Sequence, residues 1–189
     1  MASAGIVLII VAVVPVLLIL FVIGIYNALV RLRNQVDNAW SQIDVQLKRR
    51  HDLIPNLVET AKGYMKHERE TFEAITKARS QAMGAKSVAE ASKAEGMLGD
   101  ALSKFMLVVE NYPELKANQN FLAVQEELAG TENRISFARQ SYNDQVLYYN
   151  NKVQMFPSSI IAGMFSFGKR DFFEIESGAE REVPKVSFS

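Results

Sequence analysis

The chain opens with an unbroken apolar run. From Gly5 to Ile25, "GIVLIIVAVVPVLLILFVIGI" holds no charged and no hydrogen-bonding side chain. About twenty such residues in a helix cross roughly 30 Å of hydrocarbon, so the run predicts a transmembrane anchor. A cleaved signal peptide needs a positive leading region, a shorter apolar core and a small-residue cleavage site. No Lys or Arg precedes Arg31 and "YNALVRLR" offers no such site, so an uncleaved anchor is the preferred reading. Pro15 falls mid-span, where it can kink the helix without preventing it from spanning.

After the run, the apolar positions take helical spacing. Leu29, Leu32, Val36, Ala39 and Ile43 repeat as a heptad, so the anchor is expected to continue into a first soluble helix ending near Arg50. A second helix is expected to begin at "HDLIPNL", with Asp52 as N-cap and Pro55 in the first turn, and to run to about Ala82. The other reading puts Pro55 inside one long, kinked helix. "MGAKS" interrupts the pattern, and "SVAE" at Ser87–Glu90 reads as a capping box opening a third helix. Its face is Ala91, Ala94, Leu98, Ala101, Phe105, Val108 and Tyr112, with Pro113 as the stop. A fourth helix is expected from about Asn118 to Phe156, with Leu128, Glu132, Ile135, Arg139, Tyr142, Val146, Tyr149, Val153 and Phe156 on its stripe. Short connections between four helices predict an all-α fold, a transmembrane helix continuous with an up-down-up-down antiparallel four-helix bundle. The expected boundaries are 1–25 for the anchor, 26–156 for the bundle and 157–189 for a C-terminal tail.

Composition narrows the partners. Formal net charge is zero over 189 residues. The concentrated positive surface that phosphate binding needs is lacking, which argues against nucleic acid. The absence of cysteine excludes disulfides and thiolate metal sites. Arg31 and Arg33 follow the span, and the positive-inside rule then puts the C-terminal side in the cytoplasm, with the periplasm as the alternative.

Charges also interrupt the apolar stripes. In "GYMKHERETFEAITKAR", Ala61, Met65, Phe72 and Ile75 share a face, and Glu68 and Arg79 fall on it. Glu132 and Arg139 fall on the stripe of the fourth helix. In a bundle the two glutamates sit at similar height and face inward. Three readings follow: buried Glu–Arg pairing that neutralises costly charges, a carboxylate-bridged metal site, or a stripe that is partly wet. Metal sites in bundles also use Glu-x-x-His pairs, and neither His51 nor His67 falls three residues after a glutamate. Pairing is therefore preferred and no cofactor is called for. No Gly-rich phosphate loop, nucleophile elbow or HExxH is present, so no catalytic residue is assigned. "KRRH" at Lys48–His51 reads as a solvated helix end, and Trp40 as core at the edge of the first stripe.

Beyond Pro157, "PSSIIAGMFSFGKRDFFEIE" is too short and too charged to span. Ile160, Ile161, Phe165, Phe167, Phe172 and Phe173, with Lys169 and Arg170 among them, suit a membrane headgroup boundary. Folding back over the bundle end and packing on a neighbouring subunit stand beside that reading. "EREVPKVSFS" reads as an extended or poorly ordered end.

Three stretches carry a resemblance. Residues 26–82, "YNALVRLRNQVDNAWSQIDVQLKRRHDLIPNLVETAKGYMKHERETFEAITKARSQA", resemble the opening of LemA family proteins. So do "ENYPELKANQNFLAVQEELAGTENRISFARQSYNDQVLYYNNKVQMFPSSIIAGMF" and the ending "FFE…VPKVSF". The resemblance implies a bacterial membrane protein with one N-terminal anchor and a four-helix bundle, and implies no established enzymatic activity. Together these readings describe a scaffold or assembly subunit at the bacterial inner membrane. Its expected partners are membrane lipids, further copies of the chain and other membrane proteins. The alternative is a metal-binding or enzymatic bundle centred on Glu68 and Glu132.

Overall fold

The computed structural model describes the backbone of residues 2–174 and the side chains of residues 12–174. The extended end expected at "EREVPKVSFS" lies outside the described residues. Among those described are six helices and no strand: α1 (Ala2–Lys62), α2 (Arg69–Met83), α3 (Val88–Val109), α4 (Pro113–Lys116), α5 (Gln119–Gln154) and α6 (Ser158–Met164). Packing divides them into two compact units, residues 2–41 with 141–170 and residues 42–140 with 171–174.

The helix expected to end near Arg50 does not end there. α1 runs on for 61 residues, and Asp52 lies inside it rather than capping a second helix. The physical reason is the stripe. Ile43, Leu47, Ile54, Leu57, Val58 and Ala61 keep helical spacing across Pro55, and all are buried. Pro55 itself faces outward, so its ring stays clear of the core. The chain turns instead at "KGYM", where the Tyr64 and Met65 N–H groups both donate to the Ala61 carbonyl, at 3.0 and 2.9 Å.

In the unit formed by residues 42–140 with 171–174, α2 presents Phe72, Ile75, Ala78 and Ala82, and α3 presents Leu98, Phe105 and Val109. They share one core with Leu57 and Ala61 of α1, Leu115 of α4, and Phe121 and Leu128 of α5. The Phe105 ring lies 6.1 Å from Phe72 and 6.4 Å from Phe121, within the range where tilted aromatic pairs attract. The capping box forms at the start of α3: Ser87 Oγ accepts from the Glu90 N–H at 3.2 Å. Glu90 reaches back to the Lys86 N–H at 2.8 Å, one residue before the position the motif specifies. Pro113 does not merely stop α3; it opens the single turn α4, which buries Leu115. Asn118 then caps α5 by accepting from the Phe121 N–H at 3.0 Å.

In the unit formed by residues 2–41 with 141–170, Ile25, Leu29, Val36 and Ala39 are buried with Tyr142, Val146 and Tyr149. Trp40 packs edge-on against Tyr142 at 5.6 Å. Residues 12–21 of α1 expose only apolar side chains, and the helix is long and apolar enough to cross a membrane. α5 ends at Gln154, so Phe156 leaves the stripe assigned to it and is 81% exposed.

Candidate functional site

The most deeply buried charges lie in the unit of residues 42–140. α1 contributes Arg50 and His51, α3 Glu95 and α5 Glu132. Arg50 is 2% exposed and bridges two carboxylates, donating through Nη2 to Glu95 and through Nη1 to Glu132. Nη2 also lies 3.3 Å from the Glu95 carbonyl oxygen. The other Glu95 carboxylate oxygen sits 2.7 Å from His51 Nε2. A glutamate this buried requires a partner that keeps its charge, and guanidinium does so at any ordinary pH. Glu132 differs: its side chain is 46% exposed. It stands at the edge of an open groove of about 880 Å³ bordered by Leu102, Met106, Leu128, Ile135 and Arg139. The cluster ties three helices at one level. Its charged groups are directed at one another, and among the described residues no group of three or more His, Cys, Asp or Glu is placed to hold a metal ion.

The four charges read from the stripes do not come together as one network. Glu68 is the N-cap residue of α2 and only half-buried, because the chain turns there. Its carboxylate accepts from Tyr112 Oη at 2.8 Å, which holds the Tyr112 phenol above its ordinary pKa. Among the described residues Arg79 meets no glutamate; its Nε donates to the His51 carbonyl at 2.7 Å. That carbonyl is the one whose helical donor Pro55 removes, so the inward arginine replaces a bond that the interior proline deletes. Arg139 lines the groove beside Glu132. Glu132 alone takes an arginine partner, and that partner is Arg50.

Arg50, His51 and Glu95 were the residues that sequence reasoning missed. "KRRH" resembles a solvated helix end only if α1 stops there. Once α1 continues, Arg50 falls between Leu47 and Ile54 on a buried stripe, while Lys48 and Arg49 face out. Arg49 there meets Glu127 at the surface. On α3 the buried face is Ala91, Ser92, Glu95, Leu98, Phe105 and Val109, rotated from the expected one, and the rotation brings Glu95 inward.

A second arrangement lies in the unit of residues 2–41 and 141–170, where the chain folds back after α6. Of the tail residues read as a possible interface, Ile161, Phe167 and Phe173 are buried within the chain, while Ile160, Phe165 and Phe172 remain exposed. α6 ends in a two-bond reversal. The Phe167 N–H donates to the Ala162 carbonyl at 2.9 Å and the Ser166 N–H reaches the Gly163 carbonyl at 3.4 Å. Ser166 takes φ 57°, the left-handed position usually given to glycine. The turn sets Phe165 4.9 Å and Phe167 5.6 Å from the Tyr26 ring, both edge-on, and Arg33 lies 5.3 Å over Phe167. The buried Asn150 side chain then grips Arg170, donating to its carbonyl and accepting from its N–H, each at 2.9 Å. Arg170 Nη2 meets Asp37 at 2.8 Å. Burial raises the neighbouring Tyr149 phenol above its ordinary pKa, with Asp37 adding to the shift and Arg170 and Arg33 opposing it.

Among the described residues, fold and geometry define an all-helical protein with one N-terminal helix fit to cross a membrane and a buried, mutually paired ion cluster. The sequence profile of the LemA family matches residues 39–188, and the chain belongs to that family. It is 26% identical over 166 residues to Protein LemA of Metamycoplasma hominis, covering 87% of this chain and 73% of that one. It is also 24% identical over 184 residues to a magnetosome protein MamQ of Paramagnetospirillum magneticum. That match covers 84% of this chain and 68% of the relative. The magnetosome protein MamQ of Magnetospirillum gryphiswaldense is 22% identical over the same shares. None of these names is that of an enzyme.

Proposed function

We propose that this protein is a membrane-anchored helical scaffold or assembly subunit. It acts at a bacterial inner membrane through contacts with further copies of itself, lipids and other membrane proteins. In this reading residues 1–25 are a single-pass anchor, residues 26–156 an antiparallel four-helix bundle built on α1, α2, α3 and α5, and residues 157–189 a tail. The two arginines after the span favour a cytoplasmic bundle with the N-terminus outside. The observation that carries the proposal is α1. Its residues 12–21 expose only apolar side chains, and the same helix runs without a break into packed protein. Along the described part of that helix the covered residues form one stripe, and the other faces are left for neighbours.

The metal-binding or enzymatic alternative needs Glu68 and Glu132 to be available together. Glu68 is taken up by Tyr112 and Glu132 by Arg50, which favours a structural use of both.

Self-association is testable in place, because the chain has no cysteine. Leu17→Cys or Leu20→Cys on the exposed apolar face of α1 should crosslink to dimers and higher species on oxidation of intact membranes. If every exposed position from Val13 to Phe21 yields monomer alone, the anchors do not meet and the scaffold reading loses its assembly step.

A further inference from the structure

The fold-back after α5 brings an apolar surface to the point where α1 stops being purely apolar. Tyr26 is the first residue after the run Gly5–Ile25. It is the residue against which Phe165 and Phe167 stack. Arg33 lies about 10 Å further along α1 at the standard rise, and its guanidinium lies over the Phe167 ring. The reversal at Ser166 is therefore held within about 10 Å of the end of the apolar span. A headgroup layer occupies roughly 5–7 Å on each side of the hydrocarbon.

The same segment divides its side chains by face. Ile161, Ala162 and Phe167 point inward and are buried. Phe156, Ile160, Met164 and Phe165 point outward, with Met164 69% exposed. Four large apolar side chains on one short stretch are costly in water unless something covers them. Charge identifies the cover. Outside the span, residues 24–41 and 141–170 carry Arg31, Arg33, Lys152, Lys169 and Arg170 against Asp37 and Asp144, while the whole chain is neutral. Apolar side chains beside an excess of cations match the boundary of an anionic leaflet.

We propose that residues 156–169 form a second membrane contact. Phe156, Ile160, Met164 and Phe165 enter the headgroup boundary of the bilayer that α1 crosses, and the neighbouring cations bind anionic lipid. The inference rests on the anchor reading of α1 and adds a second attachment point.

The test uses the full chain reconstituted in vesicles, with single cysteines carrying a fluorophore quenched by brominated lipid. Leu17→Cys reports the anchor, Ile160→Cys and Met164→Cys report the contact, and Leu107→Cys, 71% exposed on α3, supplies a reference. In vesicles with a quarter phosphatidylglycerol, Leu17→Cys should be quenched by deep bromines. The 160 and 164 labels should be quenched several-fold by bromines near the headgroup, relative to the label at 107. That quenching should fall in pure phosphatidylcholine. Quenching at 17 with none at 160 and 164 overturns the inference and leaves the anchor standing. Failure at 17 as well overturns the anchor reading itself. Labels at 160 and 164 that ignore bromine but change emission on dilution into excess lipid point to a second copy covering the face, which also overturns the proposal. Equal quenching in both lipid mixtures removes the anionic component.

Discussion

Arg50 is the residue on which the ion cluster turns. It is enclosed and serves two carboxylates, one of them buried. Arg50→Ala leaves Glu95 with His51 alone and should cost about 3–5 kcal/mol, as should Glu95→Ala, which takes the buried partner from the arginine and leaves it only the half-exposed Glu132. Glu132→Ala removes a half-exposed partner that solvent already screens, so its cost should stay near or below about 1 kcal/mol. Chemical denaturation of the three variants in one detergent checks the order; a Glu132 loss equal to that of Glu95 contradicts it. Two tyrosines add a pH dependence. Tyr112, bonded to Glu68, and the buried Tyr149 both have phenols raised in the fold. A raised phenol stabilises fully below its unfolded value of about 10, and the contribution is lost as pH climbs through the folded value. Stability should therefore decline above about pH 10, and Tyr112→Phe with Tyr149→Phe should flatten that decline.

At the level of elements, the chain's own pattern announced much and concealed two things. The apolar run, the heptad from Leu29 to Ile43, the Ser87 cap and the stripe of α5 were legible because burial demands periodicity. The continuity of α1 was not, because Pro55 after Asp52 has the local form of a helix start. Tertiary packing overrides that form: the core stripe on both sides of Pro55 outweighs one lost bond, and Arg79 restores it from α2. The same misplaced break hid Arg50 in a run of surface cations, and a rotated α3 face hid Glu95. Half the tail was legible. Apolar character marked Ile160 and Phe167 alike, but only the reversal at Ser166 decides which of them turns inward. The Arg79 account makes its own prediction. Arg79→Ala should cost about 1–3 kcal/mol by orphaning the His51 carbonyl. In a Pro55→Ala background the new N–H satisfies that oxygen, and the same substitution should cost less than half as much. Additive losses in the double-mutant cycle would falsify the link.

At the scale of the whole molecule, the chain has a helix long and apolar enough to cross a membrane, and a buried ion cluster in the unit of residues 42–140. Among the described residues, exposed apolar side chains gather on the span of α1 and the outer face of α6, with single residues such as Leu107 and Phe137 elsewhere. The proposed use of those surfaces is assembly, for which closed symmetric oligomers are the commonest outcome. The most direct test is the native mass of the full-length protein released from membranes in mild detergent. The account predicts a discrete multiple of the 21.2 kDa chain that persists on dilution. A mass of one chain across detergents and concentrations, with no larger species, contradicts it.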